Sequence, residues 1–367
     1  MRGELIIFAT RSMEEYAERV AYEMQTFPDF YGKGYNTHIR GKLRTVSFAD
    51  GELEVEVHTS IRGKDVFLFA SSGRNGLGLT VEQNKLELYH AIDAIRRAQP
   101  GRITLFEPFC TSSRSDRTTR RNSVGFWIHY KTLTSLGVDH IITYQLHSDK
   151  SKTVVDPSVC AIDDVPGSPL IMEYITDNFI RKPSVLNETV RSEWLFCSVD
   201  AGGENAARQY ARAFGTKLMI AHKQRNYDKT NSVEAINLLT DTEIAGKEVW
   251  IVDDMIDTAG SVFTLAQELK KRGVGRTNMA VIHPVFSDPA IERLRRLNEE
   301  GMLDRLIVSD TLDCSEELRE ELPFLQVVSS ARLSAEIVMR LHEEQSLSPF
   351  FDEFDPQHYL SNLKLFL

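Results

Sequence analysis

The stretch Val249-Trp250-Ile251-Val252-Asp253-Asp254-Met255-Ile256-Asp257-Thr258-Ala259-Gly260-Ser261 decides how the chain is read. Val249–Val252 is a short uncharged run of β-branched and aromatic residues, the pattern of a buried strand. From Ser261 to Arg272 apolar residues fall at helical spacing, and Gly273 stands where such a helix stops. Strand, acidic turn and amphipathic helix together make one β–α unit of a parallel sheet. Open α/β sheets bind ligands beyond the carboxyl ends of their strands, where this turn lies. Backbone N–H groups at a helix start cradle an anion, and Gly260 lets it come close. Thr258 and Ser261 add hydroxyl donors. Asp253 and Asp254 suit no phosphate, but they accept hydrogen bonds from vicinal hydroxyls, as on a phosphorylated ribose. The other reading of the same turn is an acidic loop that caps a helix.

The rhythm of this unit repeats along the chain. Strands are expected at Leu5–Ala9, Glu52–His58, Asp65–Ala70, Ile103–Phe106, His140–Leu146, Trp194–Val199, Lys217–Ala221, Met279–Val285, Leu306–Val308 and Leu325–Val328. Helices are expected at Met13–Gln25, Glu82–Ala98, Ser123–Leu136, Leu170–Ile180, Glu204–Phe214, Ala290–Leu297 and Ser334–His342. Such alternation predicts an α/β fold with mainly parallel sheets flanked by helices. Two sheets suit 367 residues better than one, and the turn-rich Asp163–Pro169 is the expected boundary. That gives an N-terminal domain over 1–163 and a C-terminal domain over 164–328. The remaining 329–367 is expected to pack back on the first domain, although Asp352–Leu367 carries no clear pattern. Phe27–Leu43, with its glycines and basic residues, reads as a surface loop.

Composition narrows the function. With 43 Lys+Arg against 53 Asp+Glu the net charge is −10, which disfavours a non-specific nucleic-acid binder. Four scattered cysteines form no C-x-x-C pair and read as buried thiols of a reducing compartment. No apolar run is long enough for a membrane span or a signal-peptide core, so a cytoplasmic protein is expected. There is no G-x-x-x-x-G-K-[ST], so ATP could not be held by a P-loop.

Five further motifs each have an ordinary reading. Phe48-Ala49-Asp50-Gly51-Glu52 is a loop entering a strand. Cys110–Arg121, with Arg114, Arg117, Arg120 and Arg121, is either a solvated face or, after a strand end, a triphosphate site. His147 ends a strand, where a histidine is more often structural than a ligand. Asp200-Ala201-Gly202-Gly203 opens a helix, and Lys223-Gln224-Arg225 is loop charge.

Taken in order, these strings resemble the ribose-phosphate diphosphokinases (phosphoribosyl diphosphate synthetases). The 253–261 turn resembles the loop they share with phosphoribosyltransferases, and Asp257 directly before Thr258 favours the diphosphokinases. The resemblance implies two phosphoribosyltransferase-like domains and an enzyme of nucleotide biosynthesis. That enzyme moves the diphosphoryl group of ATP to the 1-hydroxyl of ribose 5-phosphate. It implies that Asp253, Asp254, Asp257, Thr258, Ala259, Gly260 and Ser261 bind ribose 5-phosphate. Phe48, Asp50, Glu52, Arg114, Ser115 and Asp116 would bind ATP, the first three in a neighbouring subunit's site. Lys223 and Arg225 would be catalytic, His147 and Asp200 would hold Mg²⁺, and Ser60 and Arg62 would belong to an allosteric site. A homo-oligomer built from dimers, up to a hexamer, is implied, with no nucleic-acid or membrane partner. Three positions depart from the pattern: Ser115 for glutamine, Gln145 for aspartate and Val199 for proline. The excess length falls in Phe27–Leu43, around Asp228–Asn231 and at the C-terminus. A phosphoribosyltransferase and a non-catalytic regulatory paralogue of the same fold are the alternatives.

Overall fold

The first strand, β1 (Leu5–Ala9), is buried at every position, as expected of a parallel strand covered on both faces. The computed structural model describes residues 3–28, 30, 39–118, 121–200, 202–224 and 235–363. These form two compact units. One holds the chain up to Pro166 with 311–313 and 329–352; the other holds Gly167–Asp310, Cys314–Val328 and the residues from Glu353.

In the first unit β2 (Leu43–Ser47) and β3 (Leu53–Val57) make an antiparallel hairpin. β4 (Asp65–Phe69), β5 (Arg102–Phe106), β6 (His140–Tyr144) and β7 (Ala161–Val165) join β1 in a parallel sheet of order β1-β4-β5-β6-β7. Beyond β1, Ile39–Gly41 runs parallel to it: Ile7 N–H donates to Ile39 and Gly41 N–H to Ile7. The chain therefore moves outward from β1 and then back past it to β4. That reversal is a topological switch point, where open sheets leave a crevice. Helices Glu14–Thr26 and Ala331–His342 cover one face, and Val81–Arg97 and Gly125–Ser135 cover the other. The buried Tyr16 hydroxyl bonds both Ser330 and Ser334 at 2.7 Å, tying the first helix to the returning C-terminal one.

In the second unit β8 (Trp194–Ser198), β9 (Lys217–Gln224), β10 (Ala235–Leu239), β11 (Glu248–Ile256), β12 (Arg276–Pro284), β13 (Arg305–Ser309) and β14 (Leu325–Val328) form one sheet. Its order is β10-β9-β8-β11-β12-β13-β14, with only β10 antiparallel. From β8 the chain goes one way to β9, then crosses to β11 on the other side, so the switch point lies between β8 and β11. Helix Glu204–Phe214 packs on one face and helices Gly260–Lys271 and Ala290–Glu299 on the other. Trp250 is fully buried, with Trp194 at 5.2 Å and Phe179 at 5.8 Å between ring centroids. Cutting such a ring to alanine costs about 3–5 kcal/mol.

Three strands escape the sequence reading: β2, β7 and β10. β7 spans Ala161–Val165 and runs into the expected boundary segment Asp163–Pro169, within which the two units divide after Pro166. Its two aspartates are tolerated because it is an edge strand. Asp163 bonds His140 Nε2 at 2.8 Å, and Asp164 accepts Leu146 N–H at 2.9 Å and pairs with Lys152. The expected return of 329–367 to the first unit stops at Asp352. From Glu353 the chain lies on the second unit, where helix Pro356–Leu363 buries Leu360 and Tyr359 donates to Asp177 at 2.9 Å. All four cysteines are free and buried. Among the described residues no helix is long and apolar enough to cross a membrane.

Candidate active site

The second unit's switch point gathers residues from three strand ends. Asp200 follows β8; its Oδ1 accepts the N–H of Gly202 at 2.8 Å and of Gly203 at 3.3 Å. Asp253 and Asp254 lie on β11 itself, which runs to Ile256 and so past the expected end at Val252. Asp253 Oδ1 accepts Asp254 N–H at 3.0 Å and stands 3.5 Å from where a Cβ on Gly203 would be. Burial, then the charge of Asp254 and, more weakly, that of Asp200 push the Asp253 carboxyl well above the usual range. This corner therefore crowds hard oxygen donors where further negative charge is disfavoured and a cation is favoured.

The turn after β11 enters its helix without a side-chain cap from the N-cap residue. Ala259 is left-handed at φ 57° and serves as the N-cap of helix Gly260–Lys271 without a side-chain hydrogen bond. Serine, threonine, asparagine or aspartate usually fills that position and satisfies the first N–H groups; an alanine cannot. A non-glycine residue held left-handed costs about 1–3 kcal/mol, a strain that clusters at ligand sites. Gly260 is crowded for a different reason: an added Cβ would lie 3.2 Å from Arg293 Nη1. Arg293, on helix Ala290–Glu299, donates to the Thr258 carbonyl at 2.8 Å. It brings a cation to the turn from 35 residues away, and sequence reading missed it. Its place within the first turn of a helix gave no signal.

Lys223 lies on β9, opposite Ile236 of β10 and beyond the last β8–β9 pair, Ser198–Ile220. It is thus at the carboxyl end of the strand, past the Ala221 where the strand was expected to end. Arg225 and Arg120 lie outside the described residues.

The first unit holds the other candidates in three separate places. Phe48, Asp50 and Glu52 form the exposed tip of the β2–β3 hairpin. Phe48 N–H donates to Glu52, Gly51 takes φ 95°, and the Phe48 ring is 47% exposed. Arg114, Ser115 and Asp116 follow β5, and exposed His147 follows β6, both at carboxyl ends. Ser115 Oγ accepts Gly125 N–H at 3.1 Å, so this departure from glutamine ties the loop to the next helix. Gln145, the second departure, is left-handed at φ 46°, and Leu146 next to it is held by the Asp164 carboxylate. Ser60 and Arg62 are exposed just before β4, hence at the amino ends of the strands, the opposite edge from Arg114 and His147.

Fold and turn define a protein of the phosphoribosyltransferase class: residues 178–304 match the phosphoribosyl transferase domain model. Residues 5–137 match the N-terminal domain of ribose phosphate pyrophosphokinase. Ribose-phosphate pyrophosphokinase 1 of Streptococcus pneumoniae serotype 4 is 32% identical over 351 residues, 95% of this chain and 98% of that one. The protein of the same name from Streptococcus mutans serotype c is 30% identical over the same shares. The crystal structure of phosphoribosylpyrophosphate synthetase from Mycobacterium smegmatis superposes with a TM-score of 0.77 at 27% identity, covering 93% of this chain and 99% of that one. The chain belongs to the ribose-phosphate pyrophosphokinase (diphosphokinase) family.

Proposed function

We propose that the chain catalyses ATP + ribose 5-phosphate → 5-phosphoribosyl 1-diphosphate + AMP, within the cytoplasm and as a homo-oligomer. The observation that carries the reading is the helix start at Ala259, a left-handed N-cap with no side-chain hydrogen bond, beside the Asp253–Asp254 pair. It offers N–H donors to a phosphate and carboxylates to the adjoining hydroxyls. The matched N-terminal domain over 5–137 sets aside a simple phosphoribosyltransferase, which has no use for it.

In this reading the ribose 1-hydroxyl attacks the β-phosphorus of ATP and AMP leaves. The chain's part is positioning and charge neutralisation. The 258–261 turn holds the 5-phosphate, and Asp253 and Asp254 orient the sugar. Arg114 grips the triphosphate, and Phe48 with Asp50 and Glu52 receives the adenine of ATP from a neighbouring subunit's site. Lys223 and Arg225 meet the charge that develops on the transferring group.

Mg²⁺ fits the residues present. The Asp200–Asp253–Asp254 corner offers hard oxygen donors whose mutual repulsion a cation would relieve. Among the described residues no three acidic, imidazole or thiol groups stand together to hold an ion alone. Mg²⁺ suits such a site, since it takes one or two carboxylates and completes its shell with water and substrate phosphates. Asp200 and His147 would hold it, and it would neutralise and align the phosphate oxygens.

The test is product identity: purified protein with ATP and Mg²⁺ should release AMP only when ribose 5-phosphate is present. Release of ADP, or consumption of phosphoribosyl diphosphate with a free base, overturns the reading.

A further inference from the structure

Behind the Arg114 loop lies a buried ionisable chain that the reaction above does not use. Glu107, the first residue after β5, is fully buried, and so is His129 of helix Gly125–Ser135. His129 Nε2 lies 3.0 and 3.2 Å from the two Glu107 carboxylate oxygens. Ser72, in the turn after β4, donates to Glu107 Oε1 at 2.6 Å and is itself bonded to Thr111. On the far side Tyr89 OH sits 2.9 Å from His129 Nδ1.

The protons available fix the direction of the bonds at Glu107 and Ser72. A carboxylate only accepts, so Ser72 and His129 Nε2–H must both donate to Glu107. The Ser72 oxygen then accepts from Thr111. Burial, and next the Glu107 charge, push the Tyr89 hydroxyl up to about 12, and it hydrogen-bonds Nδ1. Donors therefore converge on Glu107 from both sides, Ser72 with Thr111 behind it and His129 with Tyr89 behind it. The carboxylate's own N–H is pinned to Ile142 on β6 at 2.9 Å.

The chain ends in the loop expected to grip ATP. Thr111 and Ser113 are 4% exposed, whereas Arg114 next to them is exposed. Between them Ser112 is left-handed at φ 66°, a conformation kept only where its surroundings over-determine it. Lys85 Nζ adds a bond to Ser112 Oγ at 3.1 Å.

We propose that Glu107 and His129 are positioning residues for ATP: their buried pair sets the conformation of the 111–114 turn and so the aim of Arg114. The inference rests on the ATP reading given above. A buried pair that served stability alone would change the melting temperature without separating the two substrates, because the ribose 5-phosphate turn is in the other sheet.

The experiment compares wild type, Glu107→Gln, His129→Leu and His129→Gln by steady-state kinetics for both substrates and by equilibrium dialysis of radiolabelled ATP. An amide at 107 turns one acceptor into a donor, and leucine at 129 removes the partner; each leaves a buried polar group unsatisfied, worth about tenfold or more. The expected result is an ATP KM and dissociation constant raised about tenfold, with ribose 5-phosphate KM within about twofold. His129→Gln, whose amide N–H replaces Nε2–H, should recover most of the ATP affinity. If Glu107→Gln does not fold, the leucine–glutamine contrast at 129 decides. ATP affinity unchanged in folded variants, or a parallel loss for both substrates, overturns the inference and leaves the activity standing. Absence of ATP binding by wild type overturns the ATP reading and this inference with it.

Discussion

The two sheets solve the same problem by different means. In the second unit helix Gly260–Lys271 begins at a left-handed Ala259, whose side chain bonds none of the first N–H groups. In the first unit the turn after β5 is closed from behind, with Thr111 and Ser113 buried and the adjoining Arg114 exposed. One site offers main-chain donors fixed by the helix, which suits a single small phosphate. The other offers a long cation whose aim depends on packing beneath it, which suits a flexible triphosphate. Changes in the second unit should therefore register on ribose 5-phosphate, and changes in the first on ATP.

The largest expected effect comes from the metal. Removing divalent cations with a chelator should abolish AMP formation, and restoring Mg²⁺ should recover it. Turnover that survives exhaustive chelation would show that neither sheet needs a cation. Next, Lys223→Ala should lower kcat by about 10²–10³, the effect of losing one preorganised charge-stabilising donor. Both KM values should move far less, since Lys223 is assigned to the transferring group rather than to either ground state. Unchanged kcat would return Lys223 to ordinary surface charge.

The composite-site reading predicts complementation. Phe48→Ala and Lys223→Ala proteins, each weak alone, should regain part of the activity when their subunits exchange. Exchange shown by mass labelling, without recovery, would put the adenine site within one chain. At the small end, Arg293→Met should raise ribose 5-phosphate KM about tenfold, the worth of a charge-assisted hydrogen bond, and leave ATP KM alone. A rise in ATP KM instead would break the division between the sheets.

How much of this was legible follows from distance along the chain. The 249–261 string carries strand, acid pair, glycine and helix within 13 letters, so its chemistry could be read directly. Helix Glu204–Phe214 was legible to the residue because Gly215 stops it in the left-handed conformation, at φ 68°. By contrast, Arg293 reaches the turn from 35 residues away, and Glu107 meets Ser72 across another 35. Nothing local marks such partners. β7 was hidden because its aspartates look like a linker until His140 and Leu146 are seen to hold them. Strand ends were underestimated where the carboxyl-terminal residues are polar, at Lys223 and at Asp253–Asp254, because backbone pairing outlasts the apolar pattern.

The central claim is that the β-phosphorus of ATP is the one attacked, with the sugar held by the 253–261 turn. ATP labelled with radioactive phosphorus at the β position, incubated with ribose 5-phosphate and Mg²⁺, tests it directly. The label should leave nucleotide entirely and appear in the ribose diphosphate, with unlabelled AMP formed in equal amount. Label retained in ADP would mean attack at the γ-phosphorus and would contradict the account.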